Sequence, residues 1–360
     1  MYPALTAVAE LRQRCDVLDV RWVGSSGGLE QPLIERAGIP FDPIPALGLR
    51  GKSLLATLHG LWAMGQGYRR SRQLIERFDP DALFVTGGYV SVPVTLAAWR
   101  AGIPVLIYLP DIEPGLAIKF LAHFANCIAV SAPEAQRFFK PGLTVVTGYP
   151  VRPELFAGSG ESSAKVRQAA RRRLGLSDEL PVLLVFGGSR GARSINRALT
   201  EHLEAYLEAC QVFHISGTLD ADWVQARWAE LPSSLQNRYH HAPYLHEEMV
   251  AALLAADLVV SRAGASVIGE YPAAGLPAIL APGPFAGAHQ ALNAAYLARP
   301  GAALVVEDAD LDRLLKDTVF ALITNKEKLQ LMRQAGQRLA QPEAAARLAR
   351  EILRMGTHGT

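Results

Sequence analysis

Ser266 and Glu270 follow an apolar, strand-like run and lie one helical turn apart. The residues before them, Arg262 to Ala265, predict a turn that leads from a strand into a helix over residues 267–274. The N–H groups at the start of a helix bind anions, phosphate above all. A carboxylate one turn further on can accept hydrogen bonds from the two ribose hydroxyls of a nucleotide whose diphosphate lies on the helix start. An ordinary turn with a surface glutamate fits this segment equally well.

Two further glycine loops follow strand-like runs. Residues 187–193, Gly-Gly-Ser-Arg-Gly-Ala-Arg, contain three glycines within five positions and open another helix. Glycine permits positive φ and leaves backbone amides accessible, while Ser189 and Arg193 can add a hydroxyl donor and a positive charge near a phosphate. The third loop, residues 86–91, lies in the first half of the chain. Tight packing of a loop against a sheet edge is the alternative, but the repeated design favours a nucleotide-linked donor.

Composition and charge exclude several classes of protein. The 360 residues suit two α/β domains of common size, and half of the residues are hydrophobic. A net charge of +2 without a long basic block gives no reason to expect nucleic-acid binding. Cys15, Cys127 and Cys210 are few and widely spaced, which indicates a reducing compartment and no zinc site.

Two Asp-x-Asp motifs superficially resemble metal sites. They occupy residues 220–222 and 308–310. Both fall where helix starts and turns are expected, so we interpret them as helix caps. The sequence therefore predicts neither a metal nor another cofactor.

No apolar run approaches the length that spans a bilayer, and Met1 is not followed by a secretory signal pattern. This pattern predicts a cytosolic protein. Residues 115–124 are apolar on most sides and carry Lys119 and His123. A core helix is the usual interpretation of such a segment, and a membrane-surface anchor is the alternative.

Amphipathic helices alternate with short strands along both halves of the chain, which predicts parallel sheets covered by helices. In the first half the predicted strands are 18–23, 41–45, 82–85, 105–108, 126–130 and 144–146, and the predicted helices are 4–15, 28–37, 54–77 and 92–100. In the second half the predicted strands are 183–186, 212–216, 239–242, 258–261, 278–281 and 303–306, with helices after Asp310 and over 343–355.

This alternation divides the chain into two domains. We predict an N-terminal Rossmann-like domain over 1–155, a linker and domain start over 156–180, a C-terminal Rossmann-like domain over 181–340, and a final helix over 341–360. A terminal helix often packs back across a domain boundary, so we expect the last helix to contact the first domain.

The chain opens directly on a helix, at Met1-Tyr2-Pro3. A doubly wound sheet normally begins with a strand and a turn, and without them the central position of the first sheet is empty. We expect the assigned start to be an internal methionine of a longer native protein, because loss of the strand would expose apolar sheet edges. A true remnant is the alternative.

The motifs together resemble the MurG family, peripheral membrane glycosyltransferases that move N-acetylglucosamine from UDP-N-acetylglucosamine onto a lipid-linked muramoyl-pentapeptide. The resemblance covers nearly the whole chain. It is carried by residues 2–5, 48–52, 87–91, 102–104, 148–152, 187–193, 261–270 and 289–294. It implies a GT-B fold of two facing Rossmann-like domains, a UDP-N-acetylglucosamine donor, a polyprenyl-diphosphate-linked acceptor and a place on the cytoplasmic face of the cell membrane.

The resemblance also implies which residues contact the donor diphosphate. Arg152 and Ser189 would bind it, and the turn Ala265-Ser266-Val267 would lie beside it. In an inverting transfer an acceptor hydroxyl attacks the anomeric carbon while UDP leaves, so the developing diphosphate charge needs preorganised donors. A helix start and an arginine can supply them.

Four more residues complete the donor site that the resemblance implies. Glu270 would hold the ribose and Gln290 the sugar hydroxyls, while residues near His246 would frame the uracil. Asn293 would be a supporting contact, although capping of the following helix explains it equally well.

The sequence departs from the family where the acceptor is expected. The family has a histidine, a candidate base, just before the position of Met1, and this chain has none there. Residues 108–111, Tyr-Leu-Pro-Asp, replace His-Glu-Gln-Asn, and Arg190 replaces a usual glutamine. No catalytic base is assigned; Asp111, Glu113 and His123 are the nearest substitutes.

Two other functions remain open, and a third is disfavoured. A GT-B transferase for another lipid or polysaccharide acceptor fits the altered residues 108–111, and a non-catalytic UDP-sugar-binding protein fits the missing histidine. A nicotinamide-dependent dehydrogenase is disfavoured, because no glycine loop here matches Gly-x-Gly-x-x-Gly.

Overall fold

The computed structural model describes residues 1–26, 30–45, 54–159, 163–188, 191–245, 248–283 and 289–357, of which 54–59, 61, 159 and 357 are described by their backbone alone. The chain forms two compact units. Unit 1 consists of Met1–Pro150 together with Glu343–Thr360, and unit 2 consists of Val151–Pro342. Parallel sheets flanked by helices occur in both, which confirms the predicted α/β class.

Unit 1 alternates helices and strands as predicted. Its helices are α1 (Tyr2–Arg14), α2 (Gln31–Arg36), α3 (Leu54–Phe78), α4 (Ser91–Arg100), α5 (Leu116–Leu121) and, from the end of the chain, α16 (Ala344–Thr357). Its strands are β1 (Trp22–Ser25), β2 (Phe41–Ile44), β3 (Leu83–Val85), β4 (Val105–Leu109), β5 (Cys127–Val130) and β6 (Thr144–Val146). A 3-10 segment, Pro133–Phe138, lies between the last two strands.

The strands of unit 1 form two separate parallel sheets. One has four strands in the order β3-β4-β5-β6, and the other pairs β1 with β2 from Trp22↔Phe41 to Ser25↔Ile44. The strand predicted over 18–23 therefore starts four residues late, and Leu18 to Val20 carry no strand assignment. Among the described residues β1 pairs only with β2, and the ladder begins at Trp22.

A large cavity lies between the two sheets of unit 1, as expected for an empty central position. Its volume is about 1010 Å³, and both β1 and β3 line it. Protein interiors contain few voids larger than a water molecule. The cavity of unit 1 is far larger than such voids.

The final helix packs within unit 1, as predicted. Helix α16 contacts α1 and β4, and its Leu348 and Met355 join Ala7, Leu106 and Tyr108 in one apolar cluster. Its Arg347 donates from Nε to the carbonyl of Thr147 at 3.0 Å. This helix therefore covers one face of the four-stranded sheet.

Unit 2 begins with a 3-10 segment, Pro153–Ser159, and has a further 3-10 turn at Asp308–Asp310. Its helices are α6 (Ser163–Arg173), α7 (Arg193–Glu201), α8 (Leu203–Ala209), α9 (Ala221–Ala229), α10 (Ser233–Gln236), α11 (Met249–Ala255), α12 (Val267–Ala274), α13 (His289–Ala298), α14 (Leu311–Ile323) and α15 (Lys326–Gln337). Its strands are β7 (Val182–Phe186), β8 (Gln211–Ile215), β9 (Tyr239–Ala242), β10 (Leu258–Ser261), β11 (Ala278–Leu280) and β12 (Ala303–Val305).

The sheet of unit 2 is fully parallel, with the order β9-β8-β7-β10-β11-β12. This is the doubly wound order 3-2-1-4-5-6. The connections reverse direction between β7 and β10, and ligands of such sheets bind beyond the carboxyl ends of the strands at that point. The strand order thus predicts where a ligand of unit 2 binds.

A buried polar chain supports the loop that follows β7. His214 of β8 is fully buried, and its Nε2 donates to Asn196 Oδ1 at 2.9 Å while its Nδ1 accepts from the Tyr239 hydroxyl at 2.7 Å. The Nδ2 of Asn196 then donates to Ser216 O and to Asp220 Oδ2, both at 2.9 Å. Each group in this chain has a partner only while the imidazole is neutral, because a protonated Nδ1 could not accept.

Acid should destabilise unit 2 through His214. Burial, with a smaller effect from the neighbouring His241, lowers the pKa of His214 from 6.5 to about 3. Between these values the unfolded chain binds the proton and the folded chain does not, so stability falls as pH drops from 6.5 towards 3. Because His214 takes up one proton on unfolding, its effect on the unfolding equilibrium constant is at most roughly tenfold for each pH unit.

Denaturant unfolding at a series of pH values measures this effect. We expect His214→Gln to be less stable at pH 7 and to have a shallower acid-side slope, because glutamine does not titrate; the lowered pKa values of Asp220, His240 and His241 leave part of the slope in place. The matched control, His123→Gln at an exposed position of unit 1, should keep the wild-type slope. An unchanged slope in the His214 variant would contradict this account.

Candidate functional site

The two glycine loops of unit 2 flank the reversal point of its sheet. Residues 187–193 follow β7, and residues 262–266 follow β10, its hydrogen-bonded neighbour. Both loops lead into helices, α7 and α12, as the sequence predicts. The residues expected to bind a nucleotide therefore lie at the carboxyl edge of the sheet, where doubly wound folds bind their ligands.

The turn after β10 passes directly into α12. Ser266 occupies the N-cap position, and the helix covers Val267–Ala274, the predicted bounds. The N–H of Val267 donates to Gly264 O at 3.1 Å, and that of Glu270 donates to Ser266 O at 2.8 Å. At the far end Gly275 adopts φ +58° and closes the helix with a left-handed cap.

Glu270 lies on the first turn of α12 and pairs with Arg152. Arg152 Nη2 is 3.7 Å from Glu270 Oε1, and the two side chains are 22% and 13% exposed. Burial raises the pKa of the Glu270 carboxyl, while Arg152 and the Ser266 hydroxyl oppose that rise. Two residues that the sequence analysis assigned to the donor, 118 positions apart, thus meet here.

The partly buried guanidinium of Arg262 binds residues of several loops. Its Nη2 donates to Ser194 Oγ at 2.8 Å, and its Nη1 donates to Ala281 O at 3.1 Å. The same Nη1 lies 2.5 Å from Asp308 Oδ1, which also accepts from Ser194 Oγ at 2.7 Å. No motif in the sequence marks Arg262 or Ser194 as functional; the available signal for Arg262 was its position, a polar residue immediately after a strand and beside a glycine turn.

The loop after β7 depends on glycine at particular positions. A Cβ at Gly191, whose φ is +78°, would overlap the carbonyl oxygen of Ser216, and a Cβ at Gly187 would overlap the backbone of Ala192. Gly188 has φ +95° with open space around it. Gly187 and Gly191 therefore allow close approach of the backbone, whereas Gly188 is required only for the positive φ of the turn.

Arg193 at the start of α7 is neutralised within unit 2. Its Nε and Nη2 donate to Asp220 Oδ1 at 2.8 and 2.5 Å. Burial opposes ionisation of Asp220, but hydrogen bonds from Arg193, Trp223 and Asn196 outweigh it and lower its pKa. The structure therefore assigns Arg193 a partner other than the phosphate suggested by the sequence.

The two Asp-x-Asp motifs lie at helix starts, as predicted, but their side chains do not make the hydrogen bonds of helix caps. Asp220 and Asp310 occupy the N-cap positions of α9 and α14, but neither makes a side-chain cap hydrogen bond. Asp220 binds Arg193, and Asp308 binds Arg262. Within the described ranges no group of three or more His, Cys, Asp or Glu side chains is placed to hold a metal ion.

Gln290 and Asn293 lie on α13. Gln290 Oε1 accepts from the N–H of Gly283 at 2.7 Å. Asn293 is fully buried inside the helix and donates from Nδ2 to Ala263 O at 3.1 Å. Asn293 therefore supports the turn after β10. The sequence left two roles open, a supporting contact and a helix cap, and Asn293 is not a cap.

Two predicted donor contacts fall outside the described residues. These are Ser189 in the loop after β7 and His246 between β9 and α11. The same holds for Arg190 and for residues 48–52. Their roles stay predictions.

The three candidate bases lie in unit 1, near the ends of β4 and α5. Glu113 accepts from Lys119 Nζ at 2.9 Å, and the Nδ1 of His123 lies 3.0 Å from the carbonyl of Phe120. Asp111 lies two residues beyond β4 and is partly buried. Tyr108 is fully buried and donates to Gly148 O at 3.1 Å, so it takes a structural position where the resembling family has histidine.

Comparison with known proteins identifies both halves of the chain. Residues 1–130 match the glycosyltransferase family 28 N-terminal domain, and residues 182–348 match its C-terminal domain. A Roseiflexus sp. (strain RS-1) protein is 41% identical over 97% of this chain and 91% of its own length. A Desulforudis audaxviator protein is 40% identical over 100% and 96%. Both are named UDP-N-acetylglucosamine–N-acetylmuramyl-(pentapeptide) pyrophosphoryl-undecaprenol N-acetylglucosamine transferase.

Solved structures agree on the fold. The crystal structure of Acinetobacter baumannii MurG superposes with a TM-score of 0.73 and 28% identity, covering 98% of this chain and 95% of that one. A UDP-GlcNAc 2-epimerase from Neisseria meningitidis, solved with UDP-GlcNAc, reaches 0.69 at 14% identity over 98% and 96%, which indicates a shared fold alone. The fold class predicted from the sequence, GT-B, is thereby confirmed. With relatives of this identity along nearly its whole length, the chain belongs to glycosyltransferase family 28 and, within it, to the MurG family.

Proposed function

We propose that this protein transfers N-acetylglucosamine, with inversion, from UDP-N-acetylglucosamine to a lipid-linked muramoyl-pentapeptide, a step of peptidoglycan synthesis. The observation that carries the proposal is the ion pair between Glu270, on the first turn of α12, and Arg152, which precedes the 3-10 segment Pro153–Ser159; the two side chains are 3.7 Å apart. A cation next to a helix start suits a diphosphate, and a buried carboxylate one turn on suits a ribose.

The diphosphate of the donor lies over residues 265–267. Amide groups at a helix start and the positive end of the helix dipole attract phosphate. Arg152 adds a full charge beside them, and Ser189 is a further proposed contact. These donors stabilise the charge that develops on UDP as the anomeric C–O bond breaks.

Glu270 binds the ribose through its ionised form. A carboxylate can accept both hydroxyl hydrogens, whereas a protonated carboxyl offers fewer acceptor sites. Its pKa is raised by burial, and Arg152 opposes that shift. Protonation by acid therefore weakens donor binding, beginning at a pH above the usual range of a glutamate.

The sugar and the base of the donor take the remaining contacts. Gln290 uses its oxygen to hold Gly283, so its NH₂ group donates to a sugar hydroxyl. Asn293 supports the diphosphate turn through Ala263 O. Residues near His246 frame the uracil.

Transfer requires a base for the acceptor hydroxyl. The hydroxyl oxygen bonds to the anomeric carbon, the bond to UDP breaks with its electron pair on the leaving phosphate, and the hydroxyl proton passes to the base. Asp111, Glu113 and His123 are the candidates of this chain. Glu113 is already paired with Lys119 at 2.9 Å.

A different lipid or polysaccharide acceptor is the second candidate function. It is favoured by Tyr108, which is buried and bonded to Gly148 O, and by Leu109, which is buried in β4. Neither side chain offers the acceptor the polar groups that the resembling family carries there.

We further propose that the protein works on the cytoplasmic face of the membrane. None of the described helices is both long enough and apolar enough to cross a bilayer. Trp99, Leu116 and Phe120 of unit 1 are 53%, 66% and 47% exposed, and the rings of Trp99 and Phe120 both contact Phe124, at 5.2 and 5.4 Å. Lys119 lies among them. An exposed aromatic patch with a cation suits an anionic lipid surface.

A product assay tests the proposed reaction directly. We expect the protein to form UDP and a disaccharide-linked lipid from UDP-N-acetylglucosamine and the lipid-linked muramoyl-pentapeptide, detected by mass spectrometry of the lipid fraction. A diacylglycerol acceptor serves as the control. Product from diacylglycerol alone would support the second candidate function, and UDP binding without any product would refute a transferase role for this chain.

Replacing Glu270 with glutamine should weaken donor binding. Loss of a hydrogen-bond acceptor with full charge should raise the apparent KM for UDP-N-acetylglucosamine roughly ten- to hundredfold, with a smaller change in kcat. The wild-type acid limb of kcat/KM should also disappear, because the amide does not titrate in that range. Steady-state kinetics over a pH series measure both effects.

Glu230→Gln is the matched control, since Glu230 lies on the surface of unit 2 and pairs with Arg227. It should leave both the KM and the acid limb unchanged. A Glu270→Gln enzyme with wild-type KM would remove Glu270 from the ribose role.

Serine substitution of the exposed apolar residues of α5 should weaken membrane binding. We expect Leu116→Ser with Phe120→Ser to reduce co-sedimentation with anionic lipid vesicles at least tenfold, while UDP binding stays normal. Leu331→Ser in α15 removes an equally exposed leucine, 60% accessible, and should have no effect. Equal losses in both variants would argue against a specific patch.

A further inference from the structure

A second cavity lies within unit 2 and is lined by helices α6 and α15. Its volume is about 590 Å³. Four basic side chains line it, and these are Lys165, Arg167, Arg171 and Arg333. We call it the basic cavity. Such a concentration of cations around a hollow requires an explanation, because like charges repel one another.

The basic cavity lies at the opposite edge of the sheet from the glycine loops. Helix α12 starts beside those loops, and at its other end the carbonyl of Gly275 accepts from Arg333 Nη1 at 2.8 Å. The eight residues of α12 span about 12 Å. Asp257, which pairs with two of the cavity's arginines, directly precedes β10, whose far end leads into the turn before α12. The basic cavity is therefore separate from the proposed donor site.

Positive charge in the basic cavity exceeds the negative charge beside it. Asp257 pairs with both Arg167 and Arg171, and its Oδ2 lies 2.5 Å from Arg171 Nη2. Among the described lining residues the only carboxylate is that of Asp178. Four cations against these two carboxylates leave an excess of two positive charges.

The excess charge affects Arg333. Burial, and to a smaller extent repulsion from Arg167, lowers the pKa of Arg333 from 12.5 to about 10. Asp257 opposes this shift, but no described carboxylate forms an ion pair with Arg333. An anion beside Arg333 would restore the balance of charge.

The lining residues restrict the chemistry of an occupant. Guanidinium groups bind phosphate oxygens through paired N–H donors, and the amides of Gln168, Gln330 and Gln337 can bond to hydroxyls. No described lining residue is aromatic or a large aliphatic one, so the lining suits neither a nucleobase nor an acyl chain.

Size and charge point to the same class of ligand. Sites for small molecules have volumes of about 300–1,000 Å³, a range that includes the basic cavity and is larger than one phosphate ion needs. A phosphomonoester carries about −1.5 to −2 charges at pH 7, which matches the excess in the cavity.

We propose that the basic cavity binds a phosphomonoester group on a small hydrophilic molecule, such as a sugar phosphate, at a site distinct from that of the UDP donor. Lys165, Arg167 and Arg333 contact the phosphate, and the glutamines contact the hydroxyls. Arg171 stays bound to Asp257 and to the carbonyl of Ala255, where its Nε donates at 3.2 Å. It therefore supports the floor of the site.

Isothermal titration calorimetry of the full chain with glucose 6-phosphate tests the proposal. Saturating UDP is present, so that the probe cannot enter the donor site. We expect the wild type to bind, and Lys165→Gln and Arg333→Gln each to lose affinity by roughly tenfold, because each variant lacks one charged donor. Glucose, which has no phosphate, should not bind.

The variants separate the cavity from general charge and from folding. Arg173→Gln removes an exposed cation of α6 that does not line the cavity, and it should bind as the wild type does. Lys165 is exposed and has no ion pair with a described residue, so its variant should keep the wild-type Tm even if Arg333→Gln, without its bond to Gly275, is less stable.

Vesicles of equal parts phosphatidylcholine and phosphatidic acid distinguish a membrane phosphate from a soluble one. They are used with the Leu116→Ser, Phe120→Ser protein, which lacks the exposed apolar residues of α5. Sedimentation that Lys165→Gln abolishes, without binding of glucose 6-phosphate, would overturn the soluble ligand in favour of a lipid headgroup. Absence of binding to both probes, or an equal loss in Arg173→Gln, would overturn the proposal. Failure of UDP to bind would count against the proposed function, and the comparison of the cavity variants would still test the basic cavity.

Discussion

The geometry of unit 2 depends on one partly buried cation, the guanidinium of Arg262. It follows β10 and binds a hydroxyl at the start of α7, a carboxylate in the turn before α14 and the backbone at the end of β11. The side chains of Arg262 and Asp308 are 16% and 23% exposed, so solvent partly screens this ion pair, and the hydrogen bonds of Arg262 to the other loops add to the restraint. The loops at the carboxyl edge of the sheet are therefore held in one arrangement, and with them the turn that begins α12.

A second constraint acts on the neighbouring loop from inside the sheet. His214 donates a hydrogen bond to Asn196, Asn196 donates to Asp220, and Asp220 accepts from Arg193 at the beginning of α7. Gly191 lies against Ser216 on the same path. A fully satisfied buried polar network of this kind rigidifies a site. Preorganised donors lower the cost of stabilising charge in a transition state, which is what transfer from a nucleotide diphosphate demands.

Much of this architecture could be predicted from sequence periodicity. Strands β9 and β10 and helix α12 have the predicted bounds, because apolar runs between turn residues record local structure directly. The Arg152–Glu270 pair could be expected only through resemblance to a family, since its members are 118 positions apart. Arg262 and His214 escaped prediction, because their partners lie 18 to 68 positions away and no local pattern marks a contact of that span. Asp220 was placed correctly at a helix start, but its bond to Arg193 required the tertiary structure.

Unit 1 illustrates that a strand-like pattern forms a strand only where it is paired. Residues 18–20 have the apolar pattern of a strand and carry no strand assignment, whereas the equivalent central strand of unit 2 is buried between two neighbours. The pattern of a strand is therefore necessary but not sufficient, because a ladder needs an edge on which to form. Strand β4, which contains Tyr108 and Leu109, is paired on both sides, with β3 and with β5, and both of these side chains are buried.

The central claim is that the edge formed by residues 262–270 binds a nucleotide diphosphate. A crystal structure of the protein with UDP-N-acetylglucosamine tests it most directly. The account predicts the diphosphate over the amides of residues 265–267 within reach of Arg152, and both ribose hydroxyls on the carboxylate of Glu270. A donor bound elsewhere, or a ribose without contact to Glu270, would contradict it.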